Sequence, residues 1–124
     1  MARGKFIIYS MSPGKVIFSL KACNGQVIAT SCPFSSSEVC EEKIELVKKL
    51  SVNIPVDDKT ISADSTIPFP KFELVCEEKS SYRFMLKTDN DTVLLYSDVY
   101  KAKASCLNGI DSIRRNAPNS PVHR

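Results

Sequence analysis

Apolar and polar residues alternate along Lys5–Met11, Lys15–Ala22 and Gln26–Ser31, and the same two-residue period returns along Lys71–Glu77, Tyr82–Thr88 and Thr92–Ser97. Runs of this kind, rich in β-branched and aromatic residues, predict six strands. Ser12-Pro13-Gly14 interrupts the first pair, and Asn24-Gly25 is a two-residue hairpin signal that tolerates positive φ. Asp89-Asn90-Asp91 is a weaker turn at the corresponding place. After each set of three strands the period changes. Cys40, Ile44 and Val47 fall on one helical face, as do Ala102, Cys106, Ile110, Ile113 and Ala117. Ser35-Ser36-Ser37-Glu38 predicts a capping box with Ser35 as the cap, and Pro118 ends the second helix.

The pattern is written twice. Residues 4–56 align with residues 70–122 without a gap at an offset of 66, with thirteen identities in 53 positions. Among them are Lys5/Lys71, Phe6/Phe72, Phe18/Phe84, Leu20/Leu86, Cys40/Cys106 and Pro55/Pro121. Positions apolar in both copies are assigned to the core: Phe6, Ile8, Val16, Phe18, Leu20, Val27 and Ala29, with Phe72, Leu74, Tyr82, Phe84, Leu86, Val93 and Leu95. Three strands and one helix bury too little surface to be stable alone. The expectation is therefore one α+β domain over 1–124, two tandem β-β-β-α(-β) repeats forming one shared antiparallel sheet with both helices on one face. Repeat one is 4–56, the connector 57–69 and repeat two 70–122, with a possible short strand at Thr60-Ile61-Ser62.

Two segments carry a family likeness. Phe18-Ser19-Leu20-Lys21-Ala22-Cys23-Asn24-Gly25-Gln26-Val27-Ile28-Ala29-Thr30-Ser31 resembles the F-x-L-K-A-x-N-G-x-x-I-x-x-S segment of the YegP-like family of uncharacterised bacterial proteins. Tyr100-Lys101-Ala102-Lys103, followed by Asn108-Gly109-Ile110-Asp111-Ser112-Ile113-Arg114-Arg115-Asn116-Ala117, is similar to its helix signature Y-x-x-K…N-G-I-x-S-V-K-x-N-A. Copy one lacks the helix glycine and copy two the turn glycine, so each copy carries one half of the signature well. The resemblance implies a short last strand exchanged between halves: the stretch after Pro55, and after Pro121 only Val122-His123-Arg124. It implies a fold and transfers no catalytic residue.

Composition narrows the chemistry. The chain has 124 residues, a formal charge of +3 and five cysteines, none in C-x-x-C spacing. An odd count of free thiols fits a reducing compartment, and with no long apolar leader the expected location is the bacterial cytoplasm. No membrane-spanning run is present in the sequence. The one histidine, His123, is next to the last residue, so neither a zinc site nor a Cys-His nucleophilic pair is expected. No phosphate-binding glycine loop or nucleophile elbow occurs. Glu38, Glu41, Glu42 and Glu45 read as a solvated helix surface, and Lys48-Lys49 and Arg114-Arg115 as cations suited to helix C-termini. Expected are no enzymatic activity, no cofactor and no metal.

One feature resists that bland picture. The sheet face away from the helices should be polar, yet alternation places Ile7, Tyr9, Met11, Ile17, Ile28, Val75, Met85, Leu94 and Tyr96 there, among Ser19, Lys21, Thr30, Arg83 and Lys87. Broad apolar patches usually mark contact sites. Three explanations compete. Tyr9, Ile17, Lys21, Ile28, Arg83, Met85, Lys87, Leu94 and Tyr96 form a surface for self-association or a protein partner. Residues 57–69 cover part of the face. Or single-stranded nucleic acid or a nucleotide stacks on Tyr9 and Tyr96, with Lys21, Arg83 and Lys87 near phosphates. The first is preferred, because a charge of +3 gives little electrostatic attraction for nucleic acid.

Overall fold

The structure, a computed structural model, describes residues 4–62, 64 and 66–124. The chain runs β1 (Lys5–Ser12), β2 (Lys15–Lys21), β3 (Val27–Thr30), α1 (Ser37–Leu50) and β4 (Val56–Asp58). It continues through β5 (Lys71–Glu78), β6 (Ser81–Asp89), β7 (Thr92–Ser97), α2 (Lys103–Asn116), a 3-10 turn (Ala117–Asn119) and β8 (Val122–His123). All eight strands join one sheet in the order β4-β5-β6-β7-β3-β2-β1-β8. The two three-stranded meanders meet at β3 and β7, where Ala29 pairs with Ser97 and Thr30 with Tyr96.

The sheet is mixed rather than wholly antiparallel. β4 pairs parallel with β5, and β8 parallel with β1. Each last strand runs opposite to the strand before its helix, β4 to β3 and β8 to β7, and so lies parallel to the first strand of the other repeat, at whose free edge it adds. Each of these last strands pairs with the other repeat: Phe72 N–H donates to Pro55 O at 2.9 Å and Phe6 N–H to Pro121 O at 2.8 Å. The two-residue β8 is thus long enough for the exchange.

The repeats are equivalent in hydrogen-bonding detail. Val16 and Phe34 exchange backbone bonds of 2.8 and 2.7 Å, and Tyr82 and Tyr100 do the same. Phe18 N–H donates to Ser31 Oγ and Phe84 N–H to Ser97 Oγ, each at 3.0 Å. Phe6 packs edge-on to Phe18 and Phe72 to Phe84, with ring centroids 6.0 Å apart in both. These rings share a single core with Cys40, Ile44, Cys106, Ile110 and Ile113 from the helices.

Two expected core residues trade places with two expected surface residues. Leu20 pairs with Ala29 and Lys21 with Val27, which leaves Ile28 as the extra residue of a β-bulge. Leu94 is the extra residue between the pairs Leu86/Leu95 and Lys87/Val93. The bulge shifts the phase of both strands. Ile28 and Leu94 join the core, Val27 is exposed, and Val93 is half-buried outside the core cluster.

Smaller departures have local causes. Ser36, not Ser35, caps α1, its Oγ accepting from Val39 N–H at 3.2 Å. Ala102 is the exposed N-cap of α2 and not part of its buried stripe. Asp57 and Asp58, expected in the connector, belong to β4, and 60–62 form a turn on Asp58 instead of a strand. Arg114 does more than suit its own helix terminus. Its guanidinium donates to Ile54 O at 2.9 Å and lies over the Phe72 ring at 5.4 Å, so it holds the chain leaving α1. Lys48, its counterpart, lies over Phe6 at 5.8 Å.

Phe84→Ala should cost about 3–5 kcal/mol through lost burial and an incompletely collapsed cavity. A lowered urea midpoint checks this, and an unchanged one would contradict the assignment of the core face.

Candidate functional site

Alternation sends every second side chain of the sheet away from the helices. Across the middle of that face, the register aligns one row: Asp57, Glu73, Met85, Tyr96, Thr30, Ser19, Ile7 and His123. The row is acidic at one end and neutral from Met85 to Ile7. The two halves of the face therefore differ, although their backbones match.

On the repeat-two half, charges are buried under the connector. Lys71 Nζ lies 2.7 Å from Asp57 Oδ2 and 3.6 Å from Glu73 Oε2, and also donates to Ile67 O at 2.9 Å. Lys71 and Asp57 are 3% and 1% exposed. Lys59 reaches the same Asp57 oxygen at 3.1 Å, and Lys87 reaches Glu73 at 3.4 Å. The Phe69 ring sits 4.4 Å from the Lys71 ammonium and 5.7 Å from that of Lys87. Such an arrangement satisfies ions withdrawn from water and anchors the connector across β5 and β6. Beside it, the Lys103–Asp58 ion pair ties β4 to the start of α2. Partial burial works against ionisation of Asp58, but hydrogen bonds from Lys103 and Thr60 outweigh it and hold the carboxyl below its usual value.

The nine residues expected to form one contact surface separate into distinct groups. Ile28 and Leu94 lie in the core because of the bulges. Ile17 does point outward but is only 7% exposed. Lys87 is held by Glu73 and Phe69, and Arg83 pairs with Glu77 at 2.9 Å. Lys21 is half-buried without an ion-pair partner among the described residues. Met85 and Tyr96 are half-buried neighbours in the central row, and Tyr9 is 43% exposed. Tyr9 Oη is 3.0 Å from Ser19 Oγ, which is 3.2 Å from Thr30 Oγ1, so a short hydroxyl chain crosses repeat one. What remains open is Tyr9, Met11, Ile7, Thr30, Tyr96 and Met85.

Sequence reasoning missed the buried ions. Their signal was present, since Lys71 and Glu73 flank Phe72 in a strand whose copy-one equivalent reads Lys5-Phe6-Ile7. Phe69-Pro70 just before it supplied the cover. The cysteines also divide more sharply than expected. Cys23 and Cys76 are exposed, Cys32 is half-buried, and Cys40 and Cys106 are buried. Burial, with a smaller contribution from Asp58, pushes the Cys106 thiol up to about 11. Burial, then Cys32, also raises that of Cys40. No helix among the described residues is long and apolar enough to cross a membrane.

A duplicated three-strand-and-helix unit, closed by exchanged strands, defines a class of small tandem-repeat α+β proteins. The chain belongs to the family described as Domain of unknown function (DUF1508), whose model matches it twice, at residues 12–58 and 78–123. It is 32% identical over 119 residues to the UPF0339 protein in the ptx operon 5′ region of Stutzerimonas stutzeri, covering 96% of this chain and 94% of that one. It is also 42% identical over 52 residues to a UPF0339 protein of Treponema denticola, 42% of this chain but 90% of the relative. The solution structure of yegP from E. coli, a protein of unknown function, superposes with a TM-score of 0.76 at 24% identity, covering 99% of this chain and 93% of that one. The resemblance to the YegP-like family is therefore correct, and the α+β repeat fold with it.

Lys71→Met leaves Asp57 and Glu73 buried beside fewer cations and should destabilise the fold by about 3 kcal/mol, the low end for a broken buried pair because Lys59 and Lys87 remain. A urea midpoint equal to wild type would show that the cluster is not anchoring the connector. Thiol titration of the native protein should find Cys23 and Cys76 reacting first and Cys40 and Cys106 only on unfolding, since the thiolate is the reactive form. Equal rates for all five would contradict the burial.

Proposed function

We propose that the chain is a non-enzymatic binding or assembly module that works through the uncovered part of its outer sheet face, with a second copy of itself as the partner. The observation that carries this reading is the central row from Met85 through Tyr96 and Thr30 to Ser19 and Ile7. It crosses both repeats without a charged side chain. Exposed Tyr9 and Met11 extend it at 43% and 59% exposure. Charges are depleted from the centres of protein interfaces, and aromatic and methionine side chains are enriched there. A face built across a pseudo-two-fold seam also suits an isologous contact, in which both copies use the same patch. The Phe69 cover restricts that patch to the repeat-one half and the seam.

The nucleic-acid alternative draws on fewer groups. Tyr9, Tyr96 and Lys21 remain for stacking and phosphate contact, while Arg83 and Lys87 already face carboxylates. Unpaired clustered cations are what non-specific affinity needs.

Sedimentation should show concentration-dependent dimerisation of the wild type, abolished by Met85→Lys with the fold intact. A wild type that stays monomeric at high concentration defeats the self-association reading. Titration of labelled single-stranded oligonucleotides at two salt concentrations should show no binding. Salt-sensitive binding lost with Lys21→Gln would favour the alternative instead.

A further inference from the structure

On the helix side, a groove of about 270 Å³ opens between the β2–β3 turn of repeat one and α2 of repeat two. Its walls are the two segments in which this chain carries the family signature best. Asn24, Gln26 and Ile28 come from the hairpin, and Tyr100, Asn108 and Arg115 from the second repeat.

The fold itself accounts for most of the signature residues on α2. A Cβ on Gly109 would come within 2.7 Å of Tyr100 Oη and 2.9 Å of the Phe84 ring, so glycine is what lets the tyrosine lie against the helix. Ser112 binds the Asn116 amide at 2.8 and 3.1 Å, and Asn116 Oδ1 accepts from Gly4 N–H at 3.1 Å. Arg114 caps the end of α1. Asn108 has no such duty: it is exposed, lines the groove, and makes no side-chain hydrogen bond within the described part of the chain.

The groove is also one-sided. At the pseudo-equivalent place on α1, Lys43 stands for Gly109, Glu42 for Asn108 and Leu46 for Ser112. Those replacements put bulk and a negative charge where the first site has space and an amide. Among the described residues, α1 therefore does not repeat the chemistry that α2 presents.

We infer that the groove binds a small organic carboxylate that carries an amide or hydroxyl group. Its lining includes one guanidinium, Arg115, and no carboxylate, so it selects a single negative charge. Asn24, Gln26 and Asn108 bring amides, which both donate and accept, and thus match a neutral polar group beside that charge. Ile28 and the Tyr100 ring give the apolar floor on which such sites are usually built. The volume lies just below the roughly 300–1,000 Å³ typical of ligand pockets, which limits the ligand to about the size of an acylated amino acid.

The test uses the full chain, isotope-labelled, with backbone amide shifts followed by NMR at neutral pH and fixed ionic strength. The probes are N-acetylglycine, its neutral amide N-acetylglycinamide, and inorganic phosphate. N-acetylglycine should give saturable shifts in residues 24–28 and 105–112, at one site per chain. Arg115→Gln should weaken it about tenfold, equivalent to about 1.4 kcal/mol, and Asn108→Leu at least as much. Both substitutions are at exposed helix positions, and the dispersion of each spectrum reports directly that the fold is kept. No saturable shift in those segments overturns the site. Equal affinity for the neutral amide overturns the role of Arg115, and tighter phosphate binding overturns carboxylate as the ligand class. None of these outcomes touches the outer face, where the Met85→Lys sedimentation result decides separately.

Discussion

The whole structure depends on two strand ends that belong to the wrong repeat. A three-stranded meander leaves an unpaired edge beside a half-covered core, and an exposed edge is both a lost set of hydrogen bonds and a site for unwanted pairing. Here the chain leaving α1 adds β4 to β5, and the chain leaving α2 adds β8 to β1. The closing bonds, Phe72 to Pro55 and Phe6 to Pro121, are equivalent under the 66-residue offset. They pair the strand that carries each repeat's Phe6 or Phe72 ring with backbone supplied by the other repeat. Arg114 adds a side-chain tie in the same sense, reaching from α2 to the end of α1 and lying over Phe72. Duplication thus provides a neighbour that either half would lack.

With the frame fixed by exchange, the two outer half-faces have been free to differ. Lys5, Ile7 and Lys21 in repeat one stand where Lys71, Glu73 and Lys87 stand in repeat two, and His123 beside Ile7 takes the place that Asp57 has beside Glu73. One change, Ile7 to Glu73, brings a carboxylate between two lysines, and Asp57 completes the cluster that Phe69 covers. The other half keeps Tyr9 and Met11 in contact with solvent. The helix side differs as well, since the groove lies against α2, while α1 carries Glu42, Lys43 and Leu46 at the positions of Asn108, Gly109 and Ser112. Open and covered surfaces thus differ between the two copies of one unit.

Much of this was legible because period and repetition are both carried by residue type. The six long strands, both helices, the Asn24-Gly25 turn and rings such as Phe18 and Phe84 follow from alternation read in two registers at once. What alternation cannot carry is a phase change. Ile28 and Leu94 look like surface residues to any rule of period two, and only the extra residue in the ladder turns them inward. The direction of β4 and β8 was likewise hidden, because parallel pairing depends on where a helix delivers the chain and not on the strand's own residues. The buried ions were hidden for a third reason. A lysine and a glutamate alternating with apolar residues look solvated until the segment just before them, Ile67 to Pro70, is known to fold back over them. For the candidate surface, Tyr9, Met85 and Tyr96 remain open and Lys21 unpaired among the described residues. Ile28 and Leu94 were lost to the phase change, Lys87 to the covered cluster and Arg83 to its pairing with Glu77, and Ile17 faces outward almost without exposure.

The central claim is that the halves share one interior and one cooperative unit. Native-state hydrogen exchange, followed residue by residue as urea is raised below the unfolding transition, tests it most directly. Amides from both repeats, including Phe6, Phe18, Phe72 and Phe84, should converge on a single opening free energy with the same urea dependence. If the amides of one repeat open through their own transition while those of the other stay protected, the exchanged strands are accessories to two independent folds, and the account fails.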